Sequence, residues 1–386
     1  MQEPRIPIQN LYFLLCYSWD QLEQGELVDV SRCSSSDLAD LFTLVLSDGV
    51  KHLARRGLEQ GYDTQTDELS SLRGRIDAYG SARRFLPFQG KAICHFDELT
   101  GNTLNNQILK ATLRSLSSAV GLDESLRREA VKVYKSLHGI DDVEVSLQTF
   151  RRVQLHSNTR FYKFLLNVCE FVHTASMIDS KTGGMRFRDF IRDERAMARV
   201  FEHFLFNFIR KEVNEVVVKR DRIAWQASSL SDPDLNLLPS MNTDISVTRG
   251  GARLIIDAKY YANALSSYWD TSKLHSHNLY QLMSYLTNYP SAENESLSGM
   301  LIYPRVDRNL RERYLVQGYP VSICTVDLNQ HWKKVHEEII ELTNWAFEAM
   351  STEPAAAHPA FTTVLKVGGK LGESQLRLSV NPTPAR

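Results

Sequence analysis

Thr243-Asp244-Ile245-Ser246-Val247-Thr248-Arg249-Gly250-Gly251-Ala252-Arg253-Leu254-Ile255-Ile256-Asp257-Ala258-Lys259 is the stretch of the 386-residue chain that says most about its structure. Polar and apolar residues alternate through Thr243–Val247, as along a half-buried strand. Arg253–Ile256 is a β-branched run that ends in charge. Gly250-Gly251 suits a two-residue primed turn, whose central residues need positive φ. With that turn, cross-strand partners have numbers summing to 501, so Asp244 faces Asp257 and Ile245 faces Ile256. Period two puts Lys259 on the face of Asp257. The two carboxylates then come within about 5 Å, with an ammonium one step further along.

Like charges at about 5 Å repel by roughly 3 kcal/mol at an effective dielectric of about 20. Either one carboxylate is protonated, or the pair binds a divalent cation. Hard oxygen ligands suit Mg²⁺, completed by water and a substrate phosphate. Metal between carboxylates beside a lysine is equipped for phosphodiester hydrolysis. A solvated hairpin end accounts for the same residues taken alone.

The run from Asp244 to Ile255-Ile256-Asp257-Ala258-Lys259 resembles the active-site signature of the PD-(D/E)XK nuclease superfamily, whose members carry a helix before the hairpin and another after it. Met197, Val200, Phe201, Phe204, Leu205 and Phe208 form a period-3.6 stripe predicting a helix over about 193–211. Leu279, Leu282, Met283 and Leu286 predict a second, stopped by Asn288-Tyr289-Pro290. His277, Gln281 and Tyr285 share its other side, a solvated stripe or, as the resemblance implies for Gln281, part of the site. Superfamily members often carry an acid on the first helix; Glu194 and Glu202 both qualify, and Glu194 is preferred because it is in line with Met197 and Phe201. Strands at Ser298–Tyr303 and Pro320–Asp327 and a closing helix over about 330–350 complete the order α-β-β-β-α-β with additions, a mixed sheet flanked by helices.

The net charge is −1, so no global basic field advertises nucleic acid. Arginines cluster locally, best of all over Arg305–Arg313. Five cysteines, with no C-x-x-C spacing, argue for a reducing compartment and against structural zinc. No apolar stretch reaches membrane-spanning length, and Leu11–Cys16 reads as a helix, not a signal peptide; a cytoplasmic location is expected. There is no phosphate-cradling nucleotide loop and no nucleophile elbow.

Ahead of the hairpin, an aromatic helix through Trp19 and another over Asp37–Ala54, with Ser34–Ser36 as caps, open a helical body. Residues 57–96, rich in glycine, read as β-rich loops projecting from it. Helices follow over 104–120, 125–136 and 158–175. Ser176–Met185 reads as a linker, and residues 351–386 as a flexible tail in which Thr362–Val367 can add a strand. The expected class is α+β: an N-terminal mixed helical and β domain (1–180) with a projecting β-rich segment, then a PD-(D/E)XK-type mixed-sheet domain (185–350).

A more specific resemblance runs through about residues 4–345. Ile6-Pro7-Ile8-Gln9-Asn10-Leu11-Tyr12-Phe13-Leu14-Leu15, Arg55-Arg56-Gly57-Leu58-Glu59, Asn158-Thr159-Arg160-Phe161-Tyr162-Lys163-Phe164, Leu235-Asn236-Leu237-Leu238-Pro239 and Asn278-Leu279-Tyr280-Gln281-Leu282-Met283 are similar, in order, to McrC proteins, the nuclease subunits of McrBC modified-cytosine restriction systems. The resemblance implies an N-terminal domain that inserts into the pore of a hexameric AAA+ GTPase, McrB, and stimulates it. It also implies cleavage of double-stranded DNA carrying modified cytosine. GTP would be bound by the partner and Mg²⁺ by this chain. It carries metal ligation onto Asp244 and Asp257, and the catalytic lysine onto Lys259. Arg55, Arg56, Arg73 and Arg75, in and around the glycine-rich segment, are the expected partner contacts, with a structural role as the alternative. Two other readings stay open: a non-catalytic adaptor that only activates the GTPase, and a stand-alone repair or junction-resolving nuclease.

Overall fold

A computed structural model of the chain describes residues 6–33, 37–155, 159–178, 184–187, 193–229, 234–261, 265–268, 271–290, 295–306 and 308–348. The suggested serine caps at 34–36 and the tail, including the Thr362–Val367 strand, lie outside these residues.

The first part comprises α1 (Ile8–Ser18), α2 (Leu22–Gly25), α3 (Leu38–Arg56), β1 (Gly61–Leu69), β2 (Arg75–Asp77), α4 (Ala78–Arg83), β3 (Ala92–Thr100), α5 (Leu104–Ser117), α6 (Glu124–Ser136), α7 (Leu147–Arg151), α8 (Arg160–Ala175), β4 (Ser176–Ile178) and β5 (Met185–Phe187). The cap of α3 is Asp37, whose carboxylate accepts from the Ala39 N–H at 2.9 Å. The two ends of the expected linker pair with each other as the β4–β5 ribbon. The stretch around residues 57–96 is a three-stranded antiparallel arm in the order β1-β3-β2, with α4 between its strands in sequence. Its root is clamped. Tyr162 OH accepts from the Glu59 N–H at 2.7 Å and donates to Asn106 Oδ1 at 2.8 Å. Asn106 Nδ2 in turn donates to the carbonyls of Glu59 and Gly101.

The second part comprises α9 (Glu194–Glu212), β6 (Val217–Lys219), β7 (Arg222–Ile223), β8 (Met241–Asn242), β9 (Ile245–Arg249), β10 (Ala252–Ala258), β11 (Leu265–Tyr268), β12 (Thr271–Leu274), α10 (Ser276–Asn288), β13 (Ser296–Pro304), β14 (Arg311–Val316), β15 (Tyr319–Val326) and α11 (Trp332–Glu348). Its six-stranded mixed sheet runs β14-β15-β13-β10-β9-β6. The β10–β13 and β13–β15 pairs are parallel and the others antiparallel. The hairpin has the register read from its sequence, Arg249 opposite Ala252 through to Ile245 opposite Ile256, and Gly250 takes φ 58° at the turn.

Alternation then sorts the hairpin between two layers. Leu254, Ile256 and Ala258 face a large core with Phe201, Phe204, Phe208 and α11. Ile255 packs with Leu282, Met283 and Leu286 of α10. The large core is continuous with the N-terminal helices. Asn207 Nδ2 donates to the Tyr17 carbonyl at 2.8 Å, and Asn10 Nδ2 donates to the Leu328 carbonyl at 2.8 Å. The helix that opens the chain thus packs beside α9 and α11, the flanks of the sheet.

Helix α10 seats on β13 at Gly299, where an added Cβ would sit 2.9 Å from methyls of both Leu282 and Leu286. Gly299→Val is therefore expected to cost about 1–3 kcal/mol through overpacking, read as a lowered thermal midpoint. It should also push Gln281 away from Lys259.

Candidate active site

The carboxyl end of β10, the start of β9 and the α10 surface meet at one point. Asp257 has 0% exposure. Asp244 stands immediately before β9, and its Oδ2 accepts from the Ala258 N–H at 3.0 Å. That bond carries the hairpin one step past its last ladder pair and keeps the two acids side by side. Lys259 is fixed by its own N–H, which donates to the Ile302 carbonyl at 3.0 Å. Its ammonium lies 3.0 Å from Asp257 Oδ2 and donates to Gln281 Oε1 at 3.1 Å. Gln281 Nε2 donates onward to Tyr285 OH at 2.7 Å. The sequence-predicted Asp244, Asp257, Lys259 and Gln281 are thus brought together.

Burial pushes the Asp257 carboxyl up, with Asp244 adding to the shift and Lys259 opposing it. Burial works against the charge of Lys259, but Asp257 and Asp244 outweigh it and hold the ammonium above its ordinary range. Asp257 thus has the Lys259 ammonium as its ion-pair partner, and its buried oxygens make no further hydrogen bond to the described backbone or to α10. Two acids side by side, one of them fully buried, against a single ammonium leave negative charge uncompensated, and a cation held between them relieves it. Among the described residues no three His, Cys, Asp or Glu side chains converge on one point. Asp244 and Asp257 are hard oxygen donors, a pair whose chemistry suits Mg²⁺ completed by water.

An open cleft of ≈ 310 Å³ lies beside these residues, lined by Glu194 and Glu202 of α9 together with Asp244, Lys259, Tyr260 and Tyr261. Both helix acids thus reach the cleft by different routes. Burial raises the Glu202 carboxyl, and the neighbouring Asp244 raises it further, whereas Glu194 exerts its field on Tyr260. Tyr261 donates to Asn278 Oδ1 at 3.2 Å and lies 3.1 Å from His277 Nε2. Arg220, which no motif marks, donates to Glu202 at 2.8 Å. No local pattern signals Arg220, because its partners are distant in sequence.

The best of the basic clusters has other work. Arg305 pairs with Asp327, Arg311 with Glu341, and Arg313 with the Trp345 carbonyl. These arginines stitch α11 and the strand ends together on the β14–β15 side of the sheet. Of the expected partner contacts, Arg55 and Arg56 close α3 at the foot of the arm, where the helix dipole favours them. Arg73 lies 3.4 Å over the Phe96 ring centroid, and Arg75 stands opposite His95.

Fold and site together define a mixed-sheet α+β protein with an acidic pair and a lysine at the open end of a hairpin. Comparison with known proteins gives the family: the chain belongs to the McrBC 5-methylcytosine restriction system components, whose match covers residues 5–304, in keeping with the McrC resemblance. It is 38% identical over 342 residues, 89% of this chain and 98% of the relative, to the type IV methyl-directed restriction enzyme EcoKMcrBC of Escherichia coli (strain K12). A chain in a half-complex from the tetradecameric assembly of Thermococcus gammatolerans McrB AAA+ hexamers with bound McrC shares the fold, with a TM-score of 0.55 and 15% identity over 86% of this chain and 75% of that one. Among the described residues no helix is long and apolar enough to cross a membrane.

Proposed function

We propose that this chain is the DNA-cleaving subunit of a modification-dependent restriction complex. In this reading it hydrolyses phosphodiesters with Mg²⁺ through a PD-(D/E)XK-type domain, once assembled with a GTP-hydrolysing AAA+ hexamer of the McrB type on double-stranded DNA bearing modified cytosine. The observation that carries the reading is the buried Asp257 carboxylate side by side with Asp244 and paired with Lys259, the latter two lining an open cleft. The assembly described for the Thermococcus relative supports the partner, as does the exposed apolar surface of the arm, with Tyr79 at 79% and Phe88 at 90% exposure.

Asp244 and Asp257 would hold the cation, and bound Mg²⁺ supplies Lewis acidity toward the phosphoryl group. Lys259 keeps its proton at Nζ and meets negative charge developing on the phosphate. Gln281 orients that ammonium from α10, and Tyr285 braces Gln281 in turn.

The test combines this chain with its partner, GTP and a plasmid carrying 5-methylcytosine. Double-strand cleavage should require Mg²⁺ and stop with a chelator. Lys259→Ala should lower cleavage by about 10²–10³-fold, the scale for one lost electrostatic group, while GTPase stimulation continues. Cleavage that survives Lys259→Ala, or proceeds without divalent metal, sinks the assignment. Cleavage of unmodified DNA by this chain alone would point to a stand-alone nuclease.

A further inference from the structure

We propose that Arg220 is the positioning residue that holds Asp244 in its metal-binding attitude, an assignment that rests on the nuclease reading above. The need for it is visible in the strand ladder. β6 pairs with β9 as far as Lys219 opposite Ser246, and β7 resumes against β8 at Arg222 opposite Asn242. Between those pairs lie Arg220 and Asp221 on one strand, but Thr243, Asp244 and Ile245 on the other. Two residues against three is a β-bulge, a device that re-aims a side chain and interrupts regular pairing. Asp221 and Thr243 partly close it, with the Thr243 N–H donating to the Asp221 carbonyl at 2.9 Å and the Asp221 N–H donating to Thr243 Oγ1 at 2.9 Å.

Asp244 sits inside the bulge, so its direction depends on local holds. One is the Ala258 N–H described above. The other is Arg220, whose Nε donates to the Asp244 carbonyl at 3.3 Å while Nη2 donates to Glu202 Oε1 at 2.8 Å. The guanidinium also lies 5.0 Å over the Phe206 ring centroid. One planar cation thereby joins the bulge to α9 and sets positive charge between two acids that repel. Lysine has no fork with which to make both bonds. Glu202, with its carboxylate turned to Arg220, acts as the anchor of this clamp and not as a metal ligand.

The experiment measures Mn²⁺ binding to the full chain by calorimetry, alongside the Mg²⁺ dependence of cleavage in the assembled complex. Arg220→Ala should weaken Mn²⁺ binding by about 10–100-fold, the range for losing a group that orients a ligand, and cleavage should recover as Mg²⁺ is raised. Arg220→Lys should restore only part of the affinity. Glu202→Gln should weaken Mn²⁺ binding less than Arg220→Ala does, because its amide oxygen still accepts from Arg220 although the charge balancing the guanidinium is gone. A simple loss of packing would lower the thermal midpoint without moving the metal dependence. Unchanged Mn²⁺ affinity in Arg220→Ala overturns the assignment. So does a Glu202→Gln defect as deep as that of Asp244→Ala, which would make Glu202 a ligand. Absence of Mn²⁺ binding by the wild-type chain would instead overturn the nuclease reading itself.

Discussion

Asp257→Ala is expected to reduce cleavage by at least about 10³-fold, since it removes the central element of a preorganised electrostatic site, while stimulation of the partner's GTPase stays within about twofold of wild type. The carboxylate is buried at the end of β10 and is no part of the arm proposed to meet the partner, so its loss should spare stimulation. Its effect on stability separates a functional from a structural role. Without metal, alanine relieves the repulsion of Asp244 but strips the Lys259 ammonium of a carboxylate 3.0 Å away, leaving it Gln281, and loss of one member of a buried ion pair is destabilising. The melting temperature without metal should therefore fall. The increment that saturating Mg²⁺ gives the wild type, about 2.7 kcal/mol at a hundred times the dissociation constant, should vanish. Calorimetric melting with and without Mg²⁺, beside a GTPase assay, reads both. A variant that still gains stability from Mg²⁺, or that loses GTPase stimulation, would show Asp257 to be doing something else.

The hairpin was legible because its determinants are local. Alternation fixed the faces, Gly250-Gly251 fixed the turn, and the observed register follows from Ile245 to Ile256. Helices α9 and α10 were legible from apolar spacing for the same reason. What escaped depends on residues far apart in sequence. Arg220 meets Glu202 and Asp244 only because the chain bulges between β8 and β9. Asn10 reaches the Leu328 carbonyl across 318 residues, which no periodicity announces. Strand β14 is exposed from Arg311 to Leu315 and half-buried only at Val316, so no alternation marks it. Its arginines read as a basic patch although they pair inside the chain. In the arm, α4 was hidden by glycine-rich composition that suggested only extended loops.

Changing Phe85 and Phe88 together to alanine is expected to weaken partner binding by about 30-fold or more, the equivalent of about 2 kcal/mol, and to remove GTPase stimulation at limiting partner. The two rings are 68% and 90% exposed, with centroids 6.4 Å apart. Leu86 between them is buried, so the loop is pinned while its aromatics face outward. Phe85 takes φ 56°, a left-handed conformation uncommon for a bulky residue, which fits a backbone held for the sake of the ring it displays. Burying each ring in a partner is worth about 1.5–3 kcal/mol, and aromatic anchors dominate such interfaces. Because neither ring contributes to the chain's own core, melting temperature and Mn²⁺ binding should not change. Gly74→Val attacks the same surface from beneath. At φ 69° its Cβ would sit 2.2 Å from the His95 carbonyl oxygen, breaking the β2–β3 pairing, and it should also silence stimulation. The arginine hypothesis supplies the contrast, since Arg73 is already spent on Phe96. If Arg73→Ala with Arg75→Ala abolished stimulation while the phenylalanine pair proved dispensable, charge and not apolar burial would be what the arm offers its partner.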